Sequence, residues 1–253
     1  MSTSEIILPT KKVVATIRNP ENLVMFSKPK VGKTSLLAEL PNCLILDLER
    51  GSKYIDAIKL EANCIDDIKA IGTTIKEQGN PYKFVAVDTI TKLDEMVVPY
   101  AEQLYSKSPM GKNWFTPKTG GKAKYGTIIG MPEGAGYYWT RLAFTKVTDY
   151  ISTWAPYTIF VGHVKDTMLE KEGTSFSSLE LDLTGKLKRI VGAHADGLGY
   201  LYRKGNKNIL SFKTASDLSC GARPEHLMNK EIVLSEMIEG KLVTHWDEIY
   251  IDK

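Results

Sequence analysis

Three short stretches hold residues whose types and spacing suit triphosphate chemistry: FSKPKVGKTSLL (26–37), CLILDLERG (43–51) and FVAVDT (84–89). The first ends in Gly32-Lys33-Thr34 and fits G-x-x-x-x-G-K-[ST], except that Ser27 stands where the first glycine belongs. A turn of this kind between a strand and a helix aims backbone N–H groups at an anion, and the helix N-terminus adds partial positive charge. The expected cradle is Ser27, Lys28, Pro29, Lys30, Val31, Gly32, Lys33, Thr34 and Ser35. Lys33 would reach the β- and γ-phosphates, and Thr34 would offer its hydroxyl to Mg²⁺. Serine at 27 gives up the backbone freedom of glycine, and Pro29 removes one donor. The plain alternative is a chance GKT on a surface turn, and the other two stretches argue against it.

FVAVDT closes an apolar run on Asp88, the place where a P-loop enzyme holds Mg²⁺ through a second carboxylate. A helix N-cap at Asp88 is compatible with that role. Glu49 follows CLILDL, and the carboxyl ends of strands are where open α/β sheets bind ligands. Glu49 is therefore the candidate that activates water. Asp47 is its rival, and a mere loop charge beside Arg50 is the plain reading. TKLD (91–94) also fits a guanine-reading pattern, but it sits three residues after Asp88, on a helix start rather than a base-reading loop.

The elements that must position these groups follow from pattern. Leu23–Phe26, Cys43–Leu48, residues 81–89 and Tyr157–His163 read as strands, the apolar ones buried on both faces. Residues 34–40, 64–78, 90–105 (kinked at Pro99) and 137–154 read as helices. Residues 164–186 read as a polar loop with a hairpin arm. Gly205-Asn206 between two apolar runs signals a further hairpin. Strands alternating with helices, then a late hairpin, predict an α/β fold with a mainly parallel sheet and a C-terminal antiparallel hairpin. A single domain over 1–253 is expected, with a basic loop or insertion at about 106–136.

The chain has 253 residues, of which 43% are hydrophobic, enough for a substantial core, and its net charge of +3 means that any polyanion site must be a local patch. Three unpaired cysteines and the lack of a long apolar run predict a soluble, cytoplasmic protein with no membrane contact. One patch stands out. Lys107, Lys112, Lys118, Lys122 and Lys124 interleave with Trp114, Phe115 and Tyr125, with no acid between 106 and 126. Lysines can track phosphates while aromatics stack on unpaired bases, at about 1–3 kcal/mol per base. Lys112, Trp114, Lys118, Lys122 and Lys124 are the candidate single-stranded-DNA contacts. The alternative is a solvated basic loop whose aromatics tuck into the core. Lys186, Lys188 and Arg189 form a second basic group.

The order LDLERG, FVAVDTIT, IFVGHVKD (159–166) and KLKRIVGAHADGLGYLYRKGNKNILSFKT resembles RecA-like ATPases, and in particular the phage-encoded single-strand annealing, Sak-type group. The resemblance runs over roughly residues 22–250. It implies ATP and Mg²⁺ as cofactors, Glu49 as catalytic carboxylate and His163 as γ-phosphate sensor in place of glutamine. It also implies DNA-lining loops after these strands and a homo-oligomer, ring or filament, in the host cytoplasm. A basic residue from a neighbouring subunit would then reach the γ-phosphate, with Arg223 and Lys213 as candidates. Each has a bland alternative, a bond to a loop carbonyl for Arg223 and a surface position for Lys213. The implied activity is single-stranded-DNA-dependent ATP hydrolysis in recombination or annealing, with a single-strand-binding protein as a further partner. The rival reading is an ATP switch that loads or remodels a protein partner.

Overall fold

In the computed structural model, which describes residues 8, 10–112, 127–171, 174–215 and 218–252, the apolar runs become adjacent strands of one sheet. β1 (Asn22–Ser27), β2 (Cys43–Asp47), β3 (Lys59–Glu61), β4 (Phe84–Asp88) and β5 (Tyr157–Lys171) are parallel. β7 (Gly197–Lys204) joins β1 in parallel on the other side, and β8 (Lys207–Ser211), β10 (Glu231–Ile238) and β11 (Lys241–Thr244) extend that side in antiparallel sense. The order is β11-β10-β8-β7-β1-β5-β4-β2-β3. β6 (Thr174–Leu181) pairs only with the outer half of β5, and β9 (Gly221–Ala222) pairs with β7.

Successive side chains of a strand point to opposite faces, so a strand buried on both sides must be apolar at every position. Val24, Phe26, Leu44, Leu46, Val85, Val87 and Phe160 face one core, where α2 (Ile65–Glu77), α3 (Ile90–Met96), α4 (Val98–Ser106) and α5 (Ala135–Ile151) pack. Leu23, Met25, Cys43, Ile45, Phe84, Ala86, Ile159 and Val161 face the second core, closed by Leu36 and Leu37 of α1 (Lys33–Ala38) and by Trp246 and Tyr250. The two helices of residues 90–106 meet at Val97, and Pro99 takes an early position in α4, where its missing N–H costs nothing.

The structure departs from the sequence reading at the end of the fourth strand and adds two elements that the reading left unassigned. The fourth strand does not stop at His163. It runs on to Lys171 and forms a two-stranded arm with β6, which is why the residues after His163 are polar although extended. Residues 187–194, to which the pattern assigned no element, form a helix, α6 (Leu187–His194). A second C-terminal hairpin, β10–β11, turns at Glu239 (φ 50°) and Gly240 (φ 77°), two consecutive left-handed residues that suit a two-residue loop. Among the described residues, no helix is long and apolar enough to cross a membrane.

Candidate functional site

The strand register brings the three stretches to one edge. Ser27 lies opposite His163 on one side and Leu201 on the other, and Asp47 lies opposite Asp88. These are the carboxyl ends of parallel strands, where the backbone leaves the sheet and a ligand can be met.

Ser27 is the last residue of β1, buried, with no left-handed backbone, so serine carries no conformational penalty there. The left-handed positions fall later, at Lys30 (φ 63°) and Gly32 (φ 107°). At Gly32 a side chain would be strained whatever the space. The Lys33 ammonium folds back into the loop, donating to Ser27 Oγ at 3.1 Å and to the Lys28 carbonyl at 3.3 Å. Burial pushes its pKa down, and the carboxylates of Asp88 and Glu49 push it back up.

Thr34 Oγ1 donates to Asp88 Oδ2 at 2.5 Å. Burial raises the Asp88 pKa, against the Thr34 hydrogen bond and the charge of Lys33. A hydroxyl and a carboxylate at contact distance are hard oxygen donors. They suit Mg²⁺, which takes few protein ligands and keeps its waters and phosphate oxygens. Asp88 does not cap the following helix. That role falls to Thr89, whose hydroxyl accepts from Lys92 N at 3.2 Å. The Asp88–Thr89 peptide is cis.

Glu49 and His163 meet across the edge. His163 Nε2 lies 3.0 Å from Glu49 Oε1 and 3.2 Å from Oε2, and Thr89 Oγ1 donates to Oε1 at 2.5 Å. A carboxylate only accepts, so Nε2 carries the proton of that contact. The His163 hydrogen bond, aided by Thr89 and opposed by partial burial, holds the Glu49 carboxyl below its usual range. The backbone N–H of His163 donates to Thr91 Oγ1 at 3.0 Å, which fixes the strand beside the pair. A groove of about 490 Å³ opens alongside, lined by Glu49, Arg50, Asn63, Lys92, Glu95 and His163.

Asp47 is spent elsewhere. Its carboxylate accepts from the N–H groups of Glu49 (3.0 Å), Gly51 (3.2 Å) and Ser52 (2.9 Å) and from the Ser52 hydroxyl. Burial pushes its pKa up, but these hydrogen bonds outweigh it and leave the group more acidic than usual. Asp47 shapes the turn that presents Glu49 and has no free face toward the edge.

One residue that the sequence did not single out touches the phosphate loop. Arg203, at the end of β7, donates from Nη2 to the Val31 carbonyl at 2.9 Å and from Nε to Asn208 Oδ1 at 3.3 Å. Asn208 is buried and donates to Ser235 Oγ at 3.0 Å, so the C-terminal hairpins brace the loop. The only hint was its place beside the Gly205-Asn206 turn, because the pairing of β7 with β1 is not written in local pattern. Arg203→Ala is expected to weaken nucleotide affinity by about 1 kcal/mol, roughly fivefold, through a looser loop. A nucleotide titration followed by fluorescence checks it, and unchanged affinity would remove Arg203 from the site.

Other candidates lie apart. Arg223 is at the opposite edge of the sheet. Its backbone N–H bonds the Asp196 carbonyl at 2.7 Å, its Nη1 pairs with Asp196 Oδ1 at 3.1 Å, and its Nη2 bonds the Ala193 carbonyl. Within its own chain it does not reach the phosphate loop. Lys213 pairs with Glu231 at 3.2 Å, past the far end of β8. Lys188 is paired with Glu180, which leaves Lys186 and Arg189 as the exposed members of the second basic group. Lys112 is exposed after α4, whereas Trp114, Lys118, Lys122 and Lys124 lie outside the described residues.

No curated protein matches the chain. Among solved structures, a KaiC-like protein from the hyperthermophilic archaeon Pyrococcus horikoshii OT3 is similar at 12% identity and a TM-score of 0.44, covering 89% of each chain. The RadB recombinase is similar at 9% identity and a TM-score of 0.45, covering 89% of this chain and 91% of that one. A family profile for an AAA domain matches residues 19–223, which takes in the phosphate loop, Glu49, Asp88 and His163. The chain belongs to the AAA-domain family of P-loop ATPases.

Proposed function

We propose that this chain is a RecA-like, Mg²⁺-dependent ATPase that binds single-stranded DNA in phage recombination or annealing and works as a homo-oligomer, as one domain. The observation that supports it is the convergence of Lys33, Thr34, Asp88 and Glu49 on one sheet edge, with His163 on the strand that continues into the β5–β6 arm. Lys33 and the loop N–H groups bind the triphosphate. Thr34 and Asp88 hold Mg²⁺, which when bound neutralises charge on the phosphates. Glu49 accepts the proton of the attacking water, and His163 answers to the state of the γ-phosphate. Lys112, Trp114, Lys118, Lys122 and Lys124 contact the strand, and Arg223 serves a neighbouring subunit's site.

ATP hydrolysis titrated with single- and double-stranded DNA at two salt concentrations tests this reading. Single strands are expected to stimulate hydrolysis more than duplex. Their binding should fall steeply with salt, since each phosphate contact contributes about −0.7 to the log–log slope. Lys112→Ala with Lys122→Ala should flatten that slope by about 1.4. Hydrolysis indifferent to DNA, or binding that ignores both salt and the double substitution, would favour the switch that acts on a protein partner.

A further inference from the structure

A cavity of about 230 Å³ lies on the α5 face of the sheet, between α5 and α6. Its floor is apolar. Val24 of β1 and Phe160 of β5 stand opposite each other in register there, and Phe144 of α5 and Ile90 of α3 complete the inner wall. Ile190 and Val191 of α6 form the roof. That helix is lightly seated, since Leu187 is the one residue of its eight that is fully buried. Protein interiors hold few voids larger than a water molecule. An apolar cavity of about 150 Å³ takes up benzene, so this one has room for a second fused ring.

The mouth is polar. Among the described residues, no lysine or arginine lines the cavity, and Asp149 of α5 is the only acid that does. The hydroxyls beside it are already engaged. Ser152 Oγ donates to Asn22 Oδ1 at 3.2 Å, and Thr148 Oγ1 donates to the carbonyls of Phe144 and Thr145, both at 3.1 Å. The side chains of Asp149 and His194, by contrast, make no hydrogen bond or ion pair among the described residues. Both are exposed, and each stands in the last turn of its helix. The carboxyl end of a helix carries partial negative charge, so two such ends and one carboxylate meet at the opening.

We propose that this cavity binds a small aromatic amine, with one or two fused rings on the Val24–Phe160 floor and the ammonium group at the mouth beside Asp149. A neutral ring would leave the Asp149 carboxylate without a partner. An anion would meet that carboxylate and two negative helix ends. The site is separate from the nucleotide edge and does not rest on the nucleotide reading. Its mouth lies at Asn22, the first residue of β1, whereas the phosphate loop leaves from Ser27, the last, about 17 Å further along the strand.

Occupancy acts first on α6. A ring beneath Ile190 and Val191 supplies contacts that this helix lacks, and α6 follows Lys186 directly and carries Lys188 and Arg189. Backbone amides of α6 are expected to exchange with solvent about tenfold more slowly when the cavity is filled.

Three probes that share one ring system test the proposal: tryptamine, indole and indolepropionate. The full chain, isotope-labelled at its methyl groups, is titrated with each, and the methyl resonances of Val24, Ile90, Ile190 and Val191 report the site by NMR. Tryptamine is expected to bind most tightly, indole about tenfold more weakly and indolepropionate more weakly still, because the amine alone pairs with Asp149. Asp149→Ala, at an exposed position, should bring tryptamine down to the level of indole. Val191→Trp should fill the cavity and abolish binding of all three, with circular dichroism confirming that both variants fold.

A wild type that binds none of the probes overturns the proposal. So does tryptamine that binds no more tightly than indole, or an advantage of tryptamine that survives Asp149→Ala. Methyl shifts confined to other parts of the chain, or exchange in α6 that bound tryptamine leaves unchanged, overturn it equally.

Discussion

Glu49→Gln is expected to keep the triphosphate and to lose turnover by about 10²–10⁴-fold, the usual contribution of a positioned general base. The side chain sits at the carboxyl edge, between the Thr89 hydroxyl at 2.5 Å and His163 Nε2 at 3.0 Å. Glutamine keeps the shape and can still accept from Thr89, but it cannot take a proton from water. Nucleotide affinity should stay within a small factor of wild type, because the loop and Lys33 are untouched. Phosphate release and nucleotide binding, measured on the same preparation, separate the two. Equal turnover in Glu49→Gln and wild type would hand the base to another group, and Asp47 is a poor heir: it is 2% exposed and its oxygens are already bonded to the turn.

The same geometry sets a pH dependence. The His163 hydrogen bond is the main cause holding the Glu49 carboxyl below its ordinary range. A base works ionised, so its activity is lost as pH falls through its pKa. His163→Ala removes that cause and should move the acid limb of kcat/KM upward, toward an ordinary glutamate near about 4.3. An acid limb that stays in place would mean that His163 does not tune Glu49.

The parts of this site that lie within single strands were legible. A strand buried on both faces reads as an unbroken apolar run, and an acid at its end or just past it stands out, as Asp88 and Glu49 do. What pairing decides was not legible. Arg203 reaches Val31 only because β7 lies beside β1, two strands far apart in sequence. Asp47 looked like a second candidate base because its type and position suit one, and only the turn that closes over it shows otherwise. The β10–β11 hairpin escaped because its turn is Glu239-Gly240 rather than an asparagine or aspartate turn, and because Met237 and Ile238 are exposed. His163 lies at the edge and a hairpin arm was expected within 164–186, but the polar stretch concealed that the arm's first strand continues the one that carries His163.

Lys33→Ala is expected to weaken nucleotide binding by about 10²–10⁴-fold, the loss of two charge-assisted contacts at about 1.5–3 kcal/mol each. Its effect on the fold should be small and is the more telling half of the test. Lys33 is 7% exposed and its ammonium is held by a hydroxyl and a carbonyl, so it bears a desolvation cost in the free protein. Asp88 and Glu49 compensate part of that cost, and the arriving phosphates would supply the rest. Alanine removes both the cost and its compensation, and the Asp88 carboxyl, already raised by burial, rises further without the lysine charge. The free variant should therefore melt close to wild type. Nucleotide at a hundred times its dissociation constant should stabilise the wild type by about 2.7 kcal/mol, roughly 5–10 °C in Tm for a chain of this size. In Lys33→Ala at the same concentration that shift should vanish. A variant that keeps the shift would show that the loop holds its ligand without the lysine. The catalytic edge would then need a different explanation for a buried cation that feels the charges of Asp88 and Glu49.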